Sequence, residues 1–247
     1  MSGSLVVVGT GPGKAELMTP ATLAALAKAT DLVGYGPYLD RIPATRPEQR
    51  RHASDNRVEL ERARHALSLA AAGREVVVVS GGDPGVFAMA AAVFEAVETG
   101  DPAWRALDIR VEPGVTAMLA AAAEVGAPLG GDFCAISLSD NLKAWTTIER
   151  RLRAAAEADF VIALYNPASK ARPHQLAQAF ELLKAIKAGD TPVLLVRAAG
   201  TAEATVVATT LAAADASRAD MRTLVIVGAS TTRQVGRWVY TPRGARP

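Results

Sequence analysis

Three short runs of β-branched and charged residues, each stopped at once by glycine or proline, constrain this chain more than any other feature. Leu5-Val6-Val7-Val8 ends at Gly9, Val76-Val77-Val78-Val79 at Ser80-Gly81-Gly82-Asp83-Pro84, and Ile109-Arg110-Val111-Glu112 at Pro113-Gly114. Helical stretches lie near residues 19–29, 57–72 and 86–98. Continuous apolar strands alternating with helices are the pattern of a mostly parallel sheet covered on both faces. A second set follows, with strands at 134–138, 160–165, 193–197 and 223–227 and helices at 116–125, 146–158, 173–187 and 203–213. Gly126-Ala127-Pro128-Leu129-Gly130-Gly131 is a breaker-rich connection. The pattern predicts an α/β fold of two domains, 1–118 and 119–247. No short fixed repeat is present, which excludes a solenoid. The Arg- and Pro-containing tail from Gly236 reads as loosely ordered.

Composition narrows the function classes. The 247 residues hold 51 alanines, which favour closely packed helices, and only 5% aromatics, which leave few stacking platforms. The 27 Lys+Arg nearly balance 25 Asp+Glu, so no general nucleic-acid-binding face is expected. A single Cys134 excludes a disulfide scaffold and a Cys-rich metal site. No targeting peptide and no membrane-length apolar run is evident, so a soluble cytoplasmic protein is expected.

The punctuated loops are where chemistry is expected, because open parallel sheets bind ligands beyond the carboxyl ends of their strands. Gly9-Thr10-Gly11-Pro12-Gly13 lets backbone N–H groups approach a ligand, or is simply a tight turn. It is neither a dinucleotide fingerprint, which lacks its third glycine here, nor a phosphate loop. In Gly81-Gly82-Asp83-Pro84-Gly85, Asp83 could accept from a ribose or an amino group, but capping a helix that begins at Pro84 is the favoured role for its side chain. Pro113-Gly114-Val115-Thr116-Ala117 is either a turn or a third place where a ligand lies against the backbone.

The three loops, in this order and spacing, resemble those of the tetrapyrrole methyltransferase family over nearly the whole chain. Val33–Asp40, Ala53-Ser54-Asp55-Asn56-Arg57, Leu164-Tyr165-Asn166-Pro167, Gly228–Arg233 and Tyr240–Gly244 resemble the branch that methylates C17 of the substrate precorrin-3B. The resemblance implies two α/β domains with the active site in the cleft between them. It implies S-adenosylmethionine as cofactor, with S-adenosylhomocysteine as product. The implied cofactor-binding residues are Pro12, Gly81, Gly82, Asp83, Val86, Thr116, Ala117, Leu164, Tyr165, Asn166, Ala198 and Gly200. A homodimer, a tetrapyrrole substrate, no nucleic-acid or membrane partner, and handover to neighbouring pathway enzymes are implied as well.

Methyl transfer from an activated donor requires positioning more than acid–base groups. That agrees with a sequence showing no catalytic triad and no metal-ligand cluster. His52, His65 and His174 are scattered and read as surface residues. Arg41, Arg46, Arg50, Arg51, His52 and Arg57 crowd one segment. They form either a clamp for substrate carboxylates or a solvated loop or subunit contact. The C17 branch also contracts the macrocycle to precorrin-4, which calls for a base and for an acid to open a lactone. Tyr35, Tyr38, Asp40 and Asp55 are the candidates, each with packing, turn or capping as its alternative.

Competing readings are a methyltransferase for another precorrin position, one for the cobalt-containing substrate cobalt-factor III, and an RNA- or protein-modifying methyltransferase. From other classes come a non-catalytic tetrapyrrole carrier and a nucleotide-dependent oxidoreductase. A carrier would not need the cofactor loops, and the missing third glycine argues against the oxidoreductase.

Overall fold

A computed structural model describes residues 3–43, 46–55 and 58–244. The chain divides into two compact units, Met1–Thr116 and Ala117–Pro247.

The first unit contains β1 (Ser4–Gly9), α1 (Pro20–Lys28), β2 (Asp31–Tyr35), the short α2 (Gly36–Leu39), β3 (Arg50–Ser54), α3 (Glu59–Ala71), β4 (Glu75–Ser80), α4 (Met89–Thr99) and β5 (Asp108–Glu112). Its sheet runs β3-β2-β4-β1-β5 with every pair parallel. Alternation along the central strands supplies both faces. Leu5, Val7, Val76 and Val78 pack with Ala63, Ala66, Leu67 and Ala70 of α3 and Val93 and Ala96 of α4. Val6, Val8, Val77 and Val79 pack with Leu26 of α1, Leu39 and Ile42. Each such Val or Leu contributes roughly 1.5–3 kcal/mol by leaving water. The alanines of α3 and α4 let those helices sit close to the sheet.

β1 and β4 are neighbours, yet the chain leaves β1 towards β2 on one side and leaves β4 towards β5 on the other. This is the topological switch point, where doubly wound sheets open a crevice at the carboxyl edge.

The second unit contains α5 (Ala117–Val125), β6 (Gly126–Ala127), β7 (Phe133–Ser137), α6 (Trp145–Glu157), β8 (Val161–Tyr165), α7 (Gln175–Lys184), β9 (Pro192–Arg197), β10 (Thr205–Thr210), β11 (Thr223–Val227), β12 (Arg233–Val235) and β13 (Trp238–Tyr240). Its main sheet runs β10-β9-β11-β8-β7 and is mixed. β7 and β8 are parallel, while β11 opposes both β8 and β9 and β10 opposes β9. β7, β8 and β9 therefore all end on one edge. Ile148 and Leu152 of α6 and Leu176, Phe180 and Leu183 of α7 close one face over Ile162, Leu164, Val193 and Leu195.

Three expectations are corrected here. Residues 203–213 do not form a helix: Thr205–Thr210 is edge strand β10, because Thr205, Val206, Val207, Thr209 and Thr210 are β-branched and pair along the whole of β9. The tail is not loose through Thr241. β13 pairs with β12 and β6, and buried Thr241 meets Thr232 Oγ1 at 2.8 Å and donates to the Pro128 carbonyl at 2.6 Å. α4 begins at Met89 instead of Pro84 or Val86, leaving 81–88 as loop.

Candidate active site

In the first unit, parallel registers align the carboxyl ends of four strands. Ser54 pairs with Tyr35, Tyr35 lies one step beyond the Gly34–Val79 pair and so faces Ser80, and Ser80 pairs with Gly9. The loops after β1 and β4 then join over the switch point. Gly11 N donates to Gly82 O at 3.1 Å and Gly82 N donates to Gly11 O at 2.9 Å. The third loop packs into the same place. A β-carbon on Gly9 would stand 2.6 Å from Gly82 O and 2.8 Å from Gly114 Cα, and one on Gly114 would also strike Gly82 O. Only glycine permits this three-loop contact. Thr22 of α1, fully buried, donates to Gly9 O at 3.1 Å and fixes the first turn from below.

Asp83 does not cap a helix. One carboxylate oxygen accepts from Gly85 N at 2.8 Å and the other from Gly114 N at 3.0 Å. Its side chain thus ties the second loop to the third. Pro12 follows the Gly11 bridge and Val86 lies beyond Asp83, both half-buried. Phe87, half exposed, holds φ at 52°. Thr116 is buried at the end of this unit.

In the second unit, the edge shared by the ends of β7, β8 and β9 carries the other residues. Ser137 pairs with Tyr165. Asn166 and Ala198, one residue past β8 and β9, have φ of 52° and 51°. Such strain persists only where surroundings enforce it, and it gathers at functional sites. The enforcing contacts are present. Asn166 Nδ2 donates to Ser137 Oγ at 2.9 Å, Ala198 N donates to Arg222 O at 2.9 Å, and Thr201 Oγ1 donates to Ala198 O at 2.8 Å. Gly200 N donates to Glu124 Oε1 at 3.2 Å, and the Tyr165 hydroxyl accepts from Met118 N at 3.1 Å, one residue after Ala117 opens α5. Leu164 is fully buried beneath this edge.

The arginine-rich segment separates into different roles. Arg46 donates to Lys28 O and Ala29 O at 2.7 and 2.6 Å, and Arg51 donates to Leu39 O and Ile42 O at 2.8 and 2.6 Å. Both hold turns together. His52 Nε2 meets buried Asp31 at 2.9 Å and its Nδ1 meets His65 Nε2 at 3.0 Å, so two of the three histidines form one network. Arg74 also binds Asp31, at 2.7 Å. Burial alone would raise the Asp31 carboxyl, but hydrogen bonds from Arg74, Thr30 and His52 outweigh it and hold the pKa at about 2. Arg50 is exposed on edge strand β3, Arg41 stands 5.8 Å from the Tyr38 ring centroid, and Arg57 lies outside the described residues.

Of the four acid–base candidates, Tyr35 and Tyr38 meet edge to face with centroids 5.4 Å apart. Asp40 is exposed after α2 and Asp55 is exposed after β3. Sequence reasoning missed Arg62. It is 4% exposed on α3 and donates to Ser54 Oγ at 2.7 Å, to Met89 Sδ at 3.2 Å and to the Asp55 carbonyl. Nothing in the charged run Glu59–His65 distinguishes it from its solvated neighbours.

Residues 4–215 match the model of the tetrapyrrole (corrin/porphyrin) methylases, and the chain belongs to that family. Among its relatives, a Sinorhizobium sp. protein named precorrin-3B C(17)-methyltransferase is 60% identical, the match covering 98% of this chain and 97% of that one. The Salmonella typhimurium probable cobalt-factor III C(17)-methyltransferase is 43% identical over 97% and 98%. The cobalamin biosynthesis protein CobIJ of Mycobacterium bovis is 48% identical, and this chain spans about half of it (48%). The crystal structure of the methyltransferase CobJ superposes with a TM-score of 0.95 at 55% identity, covering 98% and 100%. Uroporphyrin-III C-methyl transferase from Thermus thermophilus, complexed with S-adenosyl homocysteine, shares the fold at TM-score 0.69 and 24% identity, covering 92% of each chain.

Proposed function

We propose that this chain is an S-adenosylmethionine-dependent methyltransferase that methylates C17 of precorrin-3B and contracts its ring to precorrin-4 in cobalamin biosynthesis. The observation that carries the reading is 60% identity, nearly end to end in both chains, to a protein named for that reaction.

The residues present suit the cofactor. Its polar ends call for main-chain donors and acceptors at close range, and the first unit offers a glycine-only contact with Asp83 already committed to Gly114. Gly81, Gly82, Asp83, Val86, Pro12 and Thr116 of that unit would hold it. So would Ala117, Leu164, Tyr165, Asn166, Ala198 and Gly200 of the second, where Asn166 and Ala198 hold φ of 52° and 51°. When bound, S-adenosylmethionine supplies a methyl group already activated by its sulfonium. The chain's own contribution is then orientation and exclusion of water. The Asp83 and Thr22 hydrogen bonds fix the loops in advance, so little ordering remains to be done on binding.

Incubation with metal-free precorrin-3B and S-adenosylmethionine tests the reading: product mass should rise by one methyl group and absorbance should change to that of a contracted ring. The Salmonella relative favours a second reading, in which cobalt-factor III is the substrate. Turnover of the cobalt-loaded compound alone would select it. A homodimer in the cytoplasm belongs to the same proposal, and sedimentation of the purified protein checks the dimer.

A further inference from the structure

Tyr38 stands at the carboxyl edge of the first unit's sheet with its hydroxyl uncommitted. α2 follows β2 directly, which brings the ring back over the loop after β4. A β-carbon on Gly81 would lie 2.8 Å from Tyr38 Cζ and 3.0 Å from its oxygen, so the phenol end rests on that loop. Tyr35 fixes the ring from the side. Among the described residues the hydroxyl makes no hydrogen bond, and its oxygen is not sealed from solvent. Tyr38 is half-buried, and its free hydroxyl lies against the loop after β4.

One cation stands over the Tyr38 ring, and a second acts on it electrostatically. Arg41 stands over the ring, and Arg62 is a buried guanidinium whose hydrogen bonds go to a hydroxyl, a thioether and a carbonyl, with no ion pair to a described carboxylate. Glu59 and Asp55 supply negative charge near Arg62, and its burial is the larger influence on it. Burial pushes the Tyr38 phenol up, with Tyr35 and Glu59 adding to it against the pull of Arg41 and Arg62, so it keeps its proton through neutral pH and is a donor.

Resting on the functional reading above, we propose that the Tyr38 hydroxyl, with Arg41 over its ring, donates a hydrogen bond to the substrate oxygen that departs as the lactone opens during contraction. The substrate's lactone C–O bond breaks and its electron pair stays on the departing carboxylate oxygen, while the C19–C20 pair moves to form the C1–C19 bond. C20 becomes a carbonyl, the C20 hydroxyl proton passes to water, and the phenol proton stays on Tyr38.

Tyr38→Phe keeps the ring, its contact with Gly81 and its packing on Tyr35. Precorrin-3B turnover is followed by mass for the methyl group and by absorbance for the contracted ring, with S-adenosylhomocysteine calorimetry alongside. We expect contraction kcat to fall on the order of 100-fold, with substrate KM within about threefold and S-adenosylhomocysteine affinity unchanged. Contraction within about threefold of wild type, or joint loss of S-adenosylhomocysteine binding and contraction, overturns the assignment while the functional reading stands. A wild-type protein that leaves precorrin-3B unmethylated overturns the functional reading and this assignment with it.

Discussion

Asp83 and Gly114 are joined by a 3.0 Å hydrogen bond from the Gly114 N–H to one carboxylate oxygen of Asp83, which thereby links the loops after β4 and β5. The other oxygen holds Gly85 N at 2.8 Å. The charge of Asp83 thus serves loop geometry. Asp83→Ala should weaken S-adenosylhomocysteine binding at least about tenfold by calorimetry and lower stability by about 1–3 kcal/mol in urea. Asp83→Asn keeps one acceptor oxygen and should fall between.

Gly114→Ala tests the close approach of the third loop. Its methyl group would strike Gly82 O, so the loops must part. The fold should persist by circular dichroism, because the strands beneath are independent of this contact, while S-adenosylhomocysteine binding is lost. Retained affinity would show that the loops spread without consequence.

Arg50 and Arg51 are adjacent in sequence and should behave differently. Arg51→Ala removes two hydrogen bonds to the carbonyls of Leu39 and Ile42 and should cost about 1–3 kcal/mol of stability. Exposed Arg50→Ala should leave the urea midpoint in place and raise substrate KM if the segment engages carboxylates. An unchanged KM removes Arg50 from substrate binding.

Asp31 sets an acid limit. Its folded pKa of about 2 lies below the ordinary 3.8, so the carboxylate stabilises the fold fully above about pH 4. That contribution, about 2 kcal/mol, disappears as pH falls from 4 through 2. Urea titrations across that window should show the loss, and Asp31→Asn should flatten it while lowering stability at pH 7.

The amino-acid sequence by itself determined three of the five parallel strands of the first sheet, β1, β4 and β5, and missed β2 and β3. Valine runs that end in glycine leave little choice, since buried strands need continuous apolar side chains and close loops need residues without a β-carbon. Resemblance to known loops also singled out Asn166, Ala198 and Gly200, which the proposed function assigns to the cofactor. Tertiary structure alone decided the direction of the second sheet and the strand at Thr205–Thr210, whose alanine-rich surroundings read as helix until β9 offered its edge. It alone separated Arg46, Arg51 and His52, which hold turns and a buried carboxylate, from Arg41 and Arg50, and it alone brought Tyr38 onto Gly81 and buried Arg62 against Ser54 and Met89. The physical reason is common to these cases. The partners are backbone carbonyls, a thioether and a glycine face, groups whose positions are set by packing and whose identity leaves no local pattern in the chain.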